Sequence, residues 1–415
     1  MANVTITNAN APGIVAKLSA GQLADNAMFC KTVSKEDASV FGKDFENAQP
    51  GQTIYVKKPS RYTVGSSLDL TSAIQDNVEE KVALTLDKVC SIGVKMSSLE
   101  IAYDKGIKKW NNDFLKPAMN AMSAEMDKWA LDKAVKATYN YVGTAGTTPA
   151  AVLTYLQANQ KLTENLAPED NDRYCFLNPD ANTATSDARK GLFQNDAEIA
   201  KIYKMGYVGQ GQGMTYVQSN LLPTITNGND VTGVAVEASV VTPATGATTL
   251  GVDGLTNTTG TVKAGSVFTI SGVNAVHPLT KQDLGYAQQF VVTADATANG
   301  SGQATLSISP TIYSSASGAL QNVTALPADE AAITFFGTAD AQYKQNLALH
   351  KEAFRLCTVP LHLPTGMEFA ARDTKDGISV AVVRGFDIRT REEIMRFDVL
   401  AGGVSVRPEW MARAQ

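Results

Sequence analysis

The sequence predicts an α+β fold interrupted by a separate all-β domain. Three observations carry that class. Helical periodicity runs from Asn111 to Tyr141, two extended segments precede it like the arms of a ribbon, and the composition from about Pro223 to Gly337 shifts to Thr, Ser, Gly, Val and Ala.

The bulk properties bound the function. A chain of 415 residues has room for two or three cores, and 44% hydrophobic with 19% charged residues is the balance of a folded protein. The net charge of −5 comes without a basic run, which argues against tight or sequence-specific nucleic-acid binding. No apolar stretch is long enough for a membrane span, and the start, Met1-Ala2-Asn3-Val4-Thr5, does not read as a secretory signal.

Residues 1–48 carry few core signals. Ile14, Val15, Leu18 and Leu23 fit a short helix that Ala27, Met28, Phe29 and Val33 continue. The segment reads either as an N-terminal arm or as a first helix packed on the domain. Gln49-Pro50-Gly51-Gln52 is a turn, and Thr53–Lys58 reads as a strand stopped by Pro59. Gly65-Ser66-Ser67 makes a tip, and Val82–Val89 with Ser91–Met96 return with period two. A two-stranded excursion over 49–97 is marginal alone in water, so it packs on its own chain or on a neighbouring subunit.

In the long helix Leu115, Met119, Met122, Met126, Trp129, Ala130, Ala134, Ala137 and Tyr141 share one face, with Asn120, Ser123, Glu125, Asp127 and Asp132 between them for water or a polar partner. At 1.5 Å per residue it would run roughly 45 Å. Its regular part is expected from Pro117, and Gly143 with Thr144, Gly146 and Pro149 stops it. A helix from Ala150 to about Asn165, a buried strand over Arg173–Leu177 and a helix from Pro179 towards Leu192 follow. The glycines of 206–213 lead into the strand Met214–Gln218 rather than onto a helix, which makes them a turn and not a phosphate loop.

The β-rich block holds Lys263 and Lys281 against seven carboxylates, Asp230, Glu237, Asp253, Asp283, Asp295, Asp329 and Glu330; its −5 equals the charge of the whole chain. Strands are expected at Val234–Val240, Ser266–Ile270, Gln289–Ala294 and Ala304–Ile308, as in a sandwich or small barrel. Beyond it, Ala341–Leu349 reads as a short helix or turn. Ala353–Pro360, Ile378–Val383 and Glu393–Leu400 read as strands, with a last strand at Gly402–Pro408. An α/β body is thus interrupted and resumed, which requires the two ends of the insertion to lie close together.

No nucleophile elbow, HExxH, Walker or Rossmann pattern occurs, and pairs such as Glu79-Glu80 and Glu392-Glu393 read as solvated. Cys30, Cys90, Cys175 and Cys357 stand far apart, as buried reduced thiols do, and His277, His350 and His362 lack metal-ligand spacing, although His350 and His362 could meet in space. The reading is therefore no enzyme, no cofactor and no metal. Lys57, Lys58 and Arg61 form a small basic patch on the ribbon. It either keeps an exposed edge soluble or meets an acidic surface on the next subunit.

Several phrases, in this order and spacing, resemble a known family. They are Val56-Lys57-Lys58-Pro59-Ser60-Arg61-Tyr62, Leu115-Lys116-Pro117-Ala118, Gly206-Tyr207-Val208-Gly209 with Ser219-Asn220-Leu221-Leu222-Pro223, and Phe268-Thr269-Ile270-Ser271-Gly272-Val273. Asn346–Phe354, Arg396-Phe397-Asp398-Val399-Leu400 and Arg407-Pro408-Glu409 complete the set. Over nearly its whole length the chain resembles the major capsid (coat) proteins of tailed bacteriophages, in the subgroup with an inserted immunoglobulin- or telokin-like domain. The resemblance implies the tailed-phage and herpesvirus-type major capsid fold, with an N-terminal arm (1–48), an extended loop (49–97) and a peripheral domain with the spine helix (98–148). The axial domain (149–222), the inserted all-β domain (223–338) and axial and peripheral strands (339–415) would follow.

It further implies pentamers and hexamers in an icosahedral shell around double-stranded DNA, assembled in the host bacterial cytoplasm with a scaffolding protein and a portal. The inserted domain would face outward and assist folding or fix capsid size, and the shell would expand as DNA enters. The candidate inter-subunit contacts are Lys57, Lys58, Arg61, Tyr62, Asp253 and Asp283. A competing reading is a phage surface or tail protein whose β domain binds host receptors or glycans, and a third is an enzyme with an immunoglobulin-like appendage. The long helix and the C-terminal strands do not suit the second reading, and the absence of a nucleophile–base or metal constellation argues against the third.

Overall fold

About six turns in which large and small apolar residues recur on one face, with polar residues between them, fold the Lys116–Ala137 segment into a 22-residue α-helix. A π-helical turn, Asn111–Leu115, leads directly into it, and Pro117 is the second residue of the α-helical part. The computed structural model describes residues 12–36, 51–62, 80–97, 111–189, 209–364, 369–389 and 392–415, and the chain divides into two compact units.

The first unit comprises Met1–Val56, Lys81–Leu131 and Phe354–Val406. It is built on a six-stranded sheet with Glu392–Ser405 at its centre. Phe354–Val359 and Ile378–Asp387 pair successively along one edge of that strand, and Lys88–Ser97 pairs antiparallel along the other. Ala370–Lys375 extends the sheet beyond Ile378–Asp387, and Ser34–Lys35 joins Phe354–Val359 in parallel. The Pro12–Asn26 helix packs on the Ala370–Lys375 and Ile378–Asp387 strands through Ala16, Ala20, Leu23 and Ala24, whose small side chains allow a close approach. Gly402 and Gly403 are required where the central strand is tightest. A Cβ on the first would lie 2.6 Å from the Thr85 carbonyl oxygen, and one on the second 2.8 Å from the Phe354 ring.

The base of the ribbon is a two-stranded pair, Thr53–Lys57 with Lys81–Thr85. Val56, Leu84 and Leu86 are buried with Cys357, Val359, Leu400 and Val406. Of the two expectations for the ribbon, its base therefore packs on its own chain; its tip, 63–79, lies outside the described residues.

The second unit comprises Lys57–Glu80, Asp132–Ala353 and Arg407–Gln415. Its six-stranded sheet runs in the order Asn140–Val142, Met411–Ala414, Asn346–His350, Arg173–Leu177, Met214–Gln218, Gln210–Gly211. The first three strands are buried throughout, because both faces are covered. The Val152–Glu164 helix covers one face with Tyr155, Ala158 and Leu162. On the other side Tyr139 and Tyr141 cluster with Val267 and Val291 of the all-β block.

That block holds an antiparallel six-stranded sheet ordered Ala235–Val236, Ala247–Asp253, Ala304–Ile312, Asp283–Val292, Val267–Val276, Ile333–Phe335, with a core that includes Val236, Leu250, Phe268, Phe290 and Leu306. Entry and exit are tied by a ladder, Thr224–Thr226 against Gln342–Lys344, with Thr226 opposite Gln342. The ends of the block thus lie side by side, as an insertion requires. Tyr141 fastens the block to the sheet, since its N–H donates to Gln289 Oε1 (2.8 Å) and its carbonyl accepts from Gln289 Nε2 (2.9 Å). Among the described residues no helix is long and apolar enough to cross a membrane.

Several elements differ from the sequence reading. The helix ends at Ala137 and Tyr141 lies in a strand, because Asn140 Nδ2 donates to the carbonyls of Met411 (2.8 Å) and Glu409 (3.1 Å) and draws the chain into the sheet. Ala341–Leu349 is not helical; Gln342–Lys344 and Asn346–His350 are strands, and pairing with Met411–Ala414 and Arg173–Leu177 overrides the helical composition. Gly402–Ser405 continues the Glu392–Ser405 strand, and the last strand is Met411–Ala414. Lys88–Ser97 leaves the ribbon for the six-stranded sheet. The Val234–Val240 run pairs only at Ala235–Val236, because Val240 and Val241 turn back to the Glu237 carbonyl. The helix from Pro179 is described to Arg189, and 206–208 of the glycine-rich turn and the side chain of Glu393 lie outside the described residues.

Candidate interaction surface

Alternation in the Thr53–Lys57 strand turns Ile54 and Val56 inward and leaves Thr53, Tyr55 and Lys57 exposed. Pro59 ends the pairing, the last bond being Lys58 N–H to the Glu80 carbonyl (2.8 Å). The side chains of the same two residues form an ion pair at 3.8 Å. Arg61 then reaches Glu409, with Nη2 3.3 Å from Oε1. The basic patch expected to meet a neighbour's acidic surface therefore has two carboxylates of its own chain beside it. Tyr62 is exposed.

These residues border a cleft of about 520 Å³ in the second unit. Lys58, Arg61 and Arg407 bring positive charge to its wall, Glu80 and Glu409 negative charge, and Tyr62, Tyr139, Tyr313 and Trp410 aromatic surface. Trp410 is fixed from three sides. Its Nε1 donates to the Asn165 carbonyl (2.9 Å), the Arg407 guanidinium lies 4.1 Å from its ring centre, and His350 meets it edge-on. His350 in turn bonds Asp170 at 3.1 Å, which gives this histidine a structural partner.

Lys281, in the turn that carries Pro278 and Leu279 into the cleft, donates to the carbonyls of Ala319 (2.6 Å) and Gln321 (3.1 Å). Burial first, and then the charge of Arg61, pull its ammonium down to about 8. Burial pushes the Tyr313 hydroxyl up, reinforced by Glu80, and burial pushes that of Tyr139 up, reinforced by Glu409. The cleft has a mixed-charge, aromatic wall.

The six expected contact residues do not form one site. Lys57, Lys58, Arg61 and Tyr62 lie together. Asp283 stands at the start of the Asp283–Val292 strand, fully exposed, where Asn274 Nδ2 (3.0 Å) and Gly285 N–H (2.8 Å) hold its carboxyl below the usual range. Asp253 belongs elsewhere, with Glu237 and Glu330, the three offering carboxylate oxygens within 4.8 Å of one another. Glu409, Tyr139 and Tyr313 were not singled out as site residues in the sequence. Only their meeting in the cleft wall marks them, since they come from three separated segments.

A family model described as "P22 coat protein - gene protein 5" matches residues 44–413. No curated protein matches the sequence. Among solved structures, one titled Mycobacterium phage Che8 is similar at 12% identity over 93% of this chain and 90% of that chain, with a TM-score of 0.48. The capsid structure of the Cyanophage P-SCSP1u is similar at 15% identity over 88% and 84%, with a TM-score of 0.44. The CUS-3 coat protein I-domain is similar at 32% identity over 27% of this chain and 93% of its own, with a TM-score of 0.17.

Proposed function

The chain belongs to the P22 coat protein family, and from that premise we propose that it self-assembles into the pentamers and hexamers of an icosahedral phage head enclosing double-stranded DNA. Membership makes it a structural phage capsid protein and supports a non-enzymatic role in the virion. The observation that supports the finer reading is the extent of the match, residues 44–413, which runs from before the ribbon into the last strand and leaves out most of the N-terminal arm.

In this reading the ribbon overlaps a neighbour in the capsomer through the 57–62 segment, while its base stays in its own subunit's core. The all-β block is the inserted domain; the ladder between Thr224–Thr226 and Gln342–Lys344 and the block's separate core support that role. Asp253 and Asp283 on that block are the candidate contacts between capsomers. A scaffolding protein and a portal direct assembly in the host cytoplasm, and an acidic chain lines a DNA-filled shell without gripping its contents.

Electron microscopy of the purified chain, alone and with a scaffolding partner, tests the reading. Closed shells of uniform diameter are expected. Persistent monomers or small rings with scaffold present would overturn it and favour a receptor-binding protein. Replacing 227–341 by a short glycine link would then change shell size or the yield of folded protein if the block is the inserted domain.

A further inference from the structure

The Arg413 side chain is fully buried in the second unit, on the sheet face that meets the all-β block. Register places it beside Tyr141 on one flanking strand and Leu347 on the other. One nitrogen, Nη1, donates to the Gly265 carbonyl at 2.7 Å. Nε and Nη2 are also buried and have no partner among the described residues. They are not a random pair. Nε–H and Nη2–H run parallel on one edge of the guanidinium, the edge that grips two acceptors side by side.

Nor does any carboxylate of the described residues form an ion pair with it. The surroundings that can be named are the Gly265 turn and the apolar cluster of Tyr141, Val267, Val291 and Phe336. Burial of an uncompensated charge of this kind is costly. The cost appears as a downward pull on the guanidinium to about 9, caused by desolvation. Arginine, however, keeps its proton in proteins, so the penalty must be met by a partner rather than by proton loss.

We propose that the Nε/Nη2 edge of Arg413 holds a small monovalent anion, a halide or a planar oxyanion such as nitrate or bicarbonate, sealed between the C-terminal strand and the all-β block. One negative charge neutralises one guanidinium, whereas a divalent anion would leave a buried excess. An enclosed apolar wall favours weakly hydrated anions, so bromide and nitrate bind better than fluoride. The anion completes the joint that Nη1 begins at Gly265.

The test uses the full chain in solution and in crystals. At constant ionic strength, replacing gluconate by bromide is expected to raise the unfolding midpoint saturably by about 3 °C. Fluoride should do so less, and Arg413→Met should abolish the bromide-specific rise. Should Arg413→Met fail to fold, bromide-grown crystals of the wild type decide, with an anomalous peak expected in contact with both Nε and Nη2. Equal midpoints in bromide and gluconate, together with no anomalous peak at that edge, would overturn the proposal and leave an enclosed water as the partner.

Discussion

The carboxylate of Asp127, on the long helix, accepts the backbone N–H of Cys30 at 2.9 Å. It also accepts those of Met28 (2.6 Å) and Phe29 (3.2 Å), so it caps the short Phe29–Thr32 helix from outside. Met28, the residue at the cap position, makes no side-chain cap bond of its own. Truncating Asp127 to Ala would leave three donors without this acceptor, two of them buried, and we expect a loss of about 3 kcal/mol in chemical unfolding. Asp127→Asn, which keeps an acceptor but not the charge, should cost about half as much.

The same residue gives the first unit a pH signature. Burial pushes the Asp127 carboxyl above its ordinary 3.8, outweighing the N–H bonds of Cys30, Phe29 and Met28 that pull it down. In the window just above 3.8 the folded chain keeps a proton that the unfolded chain has released, so this group's contribution to stability falls as pH rises through that window. The difference in stability between wild type and Asp127→Asn should therefore shrink as pH rises from about 4. A difference that grows would mean the three N–H bonds win.

Asp127 also shows where sequence reading stops. It stands among polar residues of the long helix, which periodicity assigns to water or a polar partner; only the fold identifies that partner as another helix's first turn. The long helix itself, the strands over 173–177 and 354–359 and the closeness of the two ends of the β-rich block were legible, because each rests on local periodicity or punctuation. The Asn346–His350 and Met411–Ala414 strands were not. Their character is set by the strands on either side, and no local pattern carries that. The cleft was half legible, since Lys58, Arg61 and Tyr62 fall within one five-residue stretch while Tyr139, Tyr313 and Glu409 are brought there by topology.

Gly143 lies at φ +95°, and a Cβ there would fall 1.5 Å from the Gln415 carbonyl oxygen. That carbonyl accepts Thr144 N–H at 3.2 Å, and Gln415 N–H donates to Val142, so the chain closes on itself at this point. Gly143→Ala combines backbone strain with displacement of the last strand and should cost about 3 kcal/mol. Limited proteolysis should then release residues beyond Trp410 first, with the first unit's sheet still protected.

The Arg61–Glu409 pair separates an internal role from an assembly role. The pair is partly exposed, 39% and 14% for the two side chains, so Arg61→Glu should destabilise the isolated subunit by at most about 1 kcal/mol. Adding Glu409→Arg should restore that loss. If the basic segment also contacts a neighbouring subunit, the double reversal will recover subunit stability while shell formation stays impaired. Recovery of both would confine Arg61 to its own chain.

Two fastenings sit on one strand of the all-β block. Gln289 exchanges hydrogen bonds with the backbone of Tyr141, and the Tyr286 hydroxyl donates to Glu164 Oε2 at 2.7 Å while Lys161 lies 3.2 Å from its ring centre. Gln289→Ala leaves both the N–H and the C=O of Tyr141 unpaired and should cost about 2 kcal/mol; Tyr286→Phe keeps the ring and should cost about 1. The block's own core, from Val236 to Phe335, touches neither residue's side chain bonds. Hydrogen exchange should therefore speed at Tyr141 in Gln289→Ala while the amides of Leu250 and Leu306 stay protected. Because the two fastenings act on the same strand, the double variant should lose more than the sum of the single losses once the strand lifts from the sheet. Simple additivity would show that each bond holds its end of the strand independently.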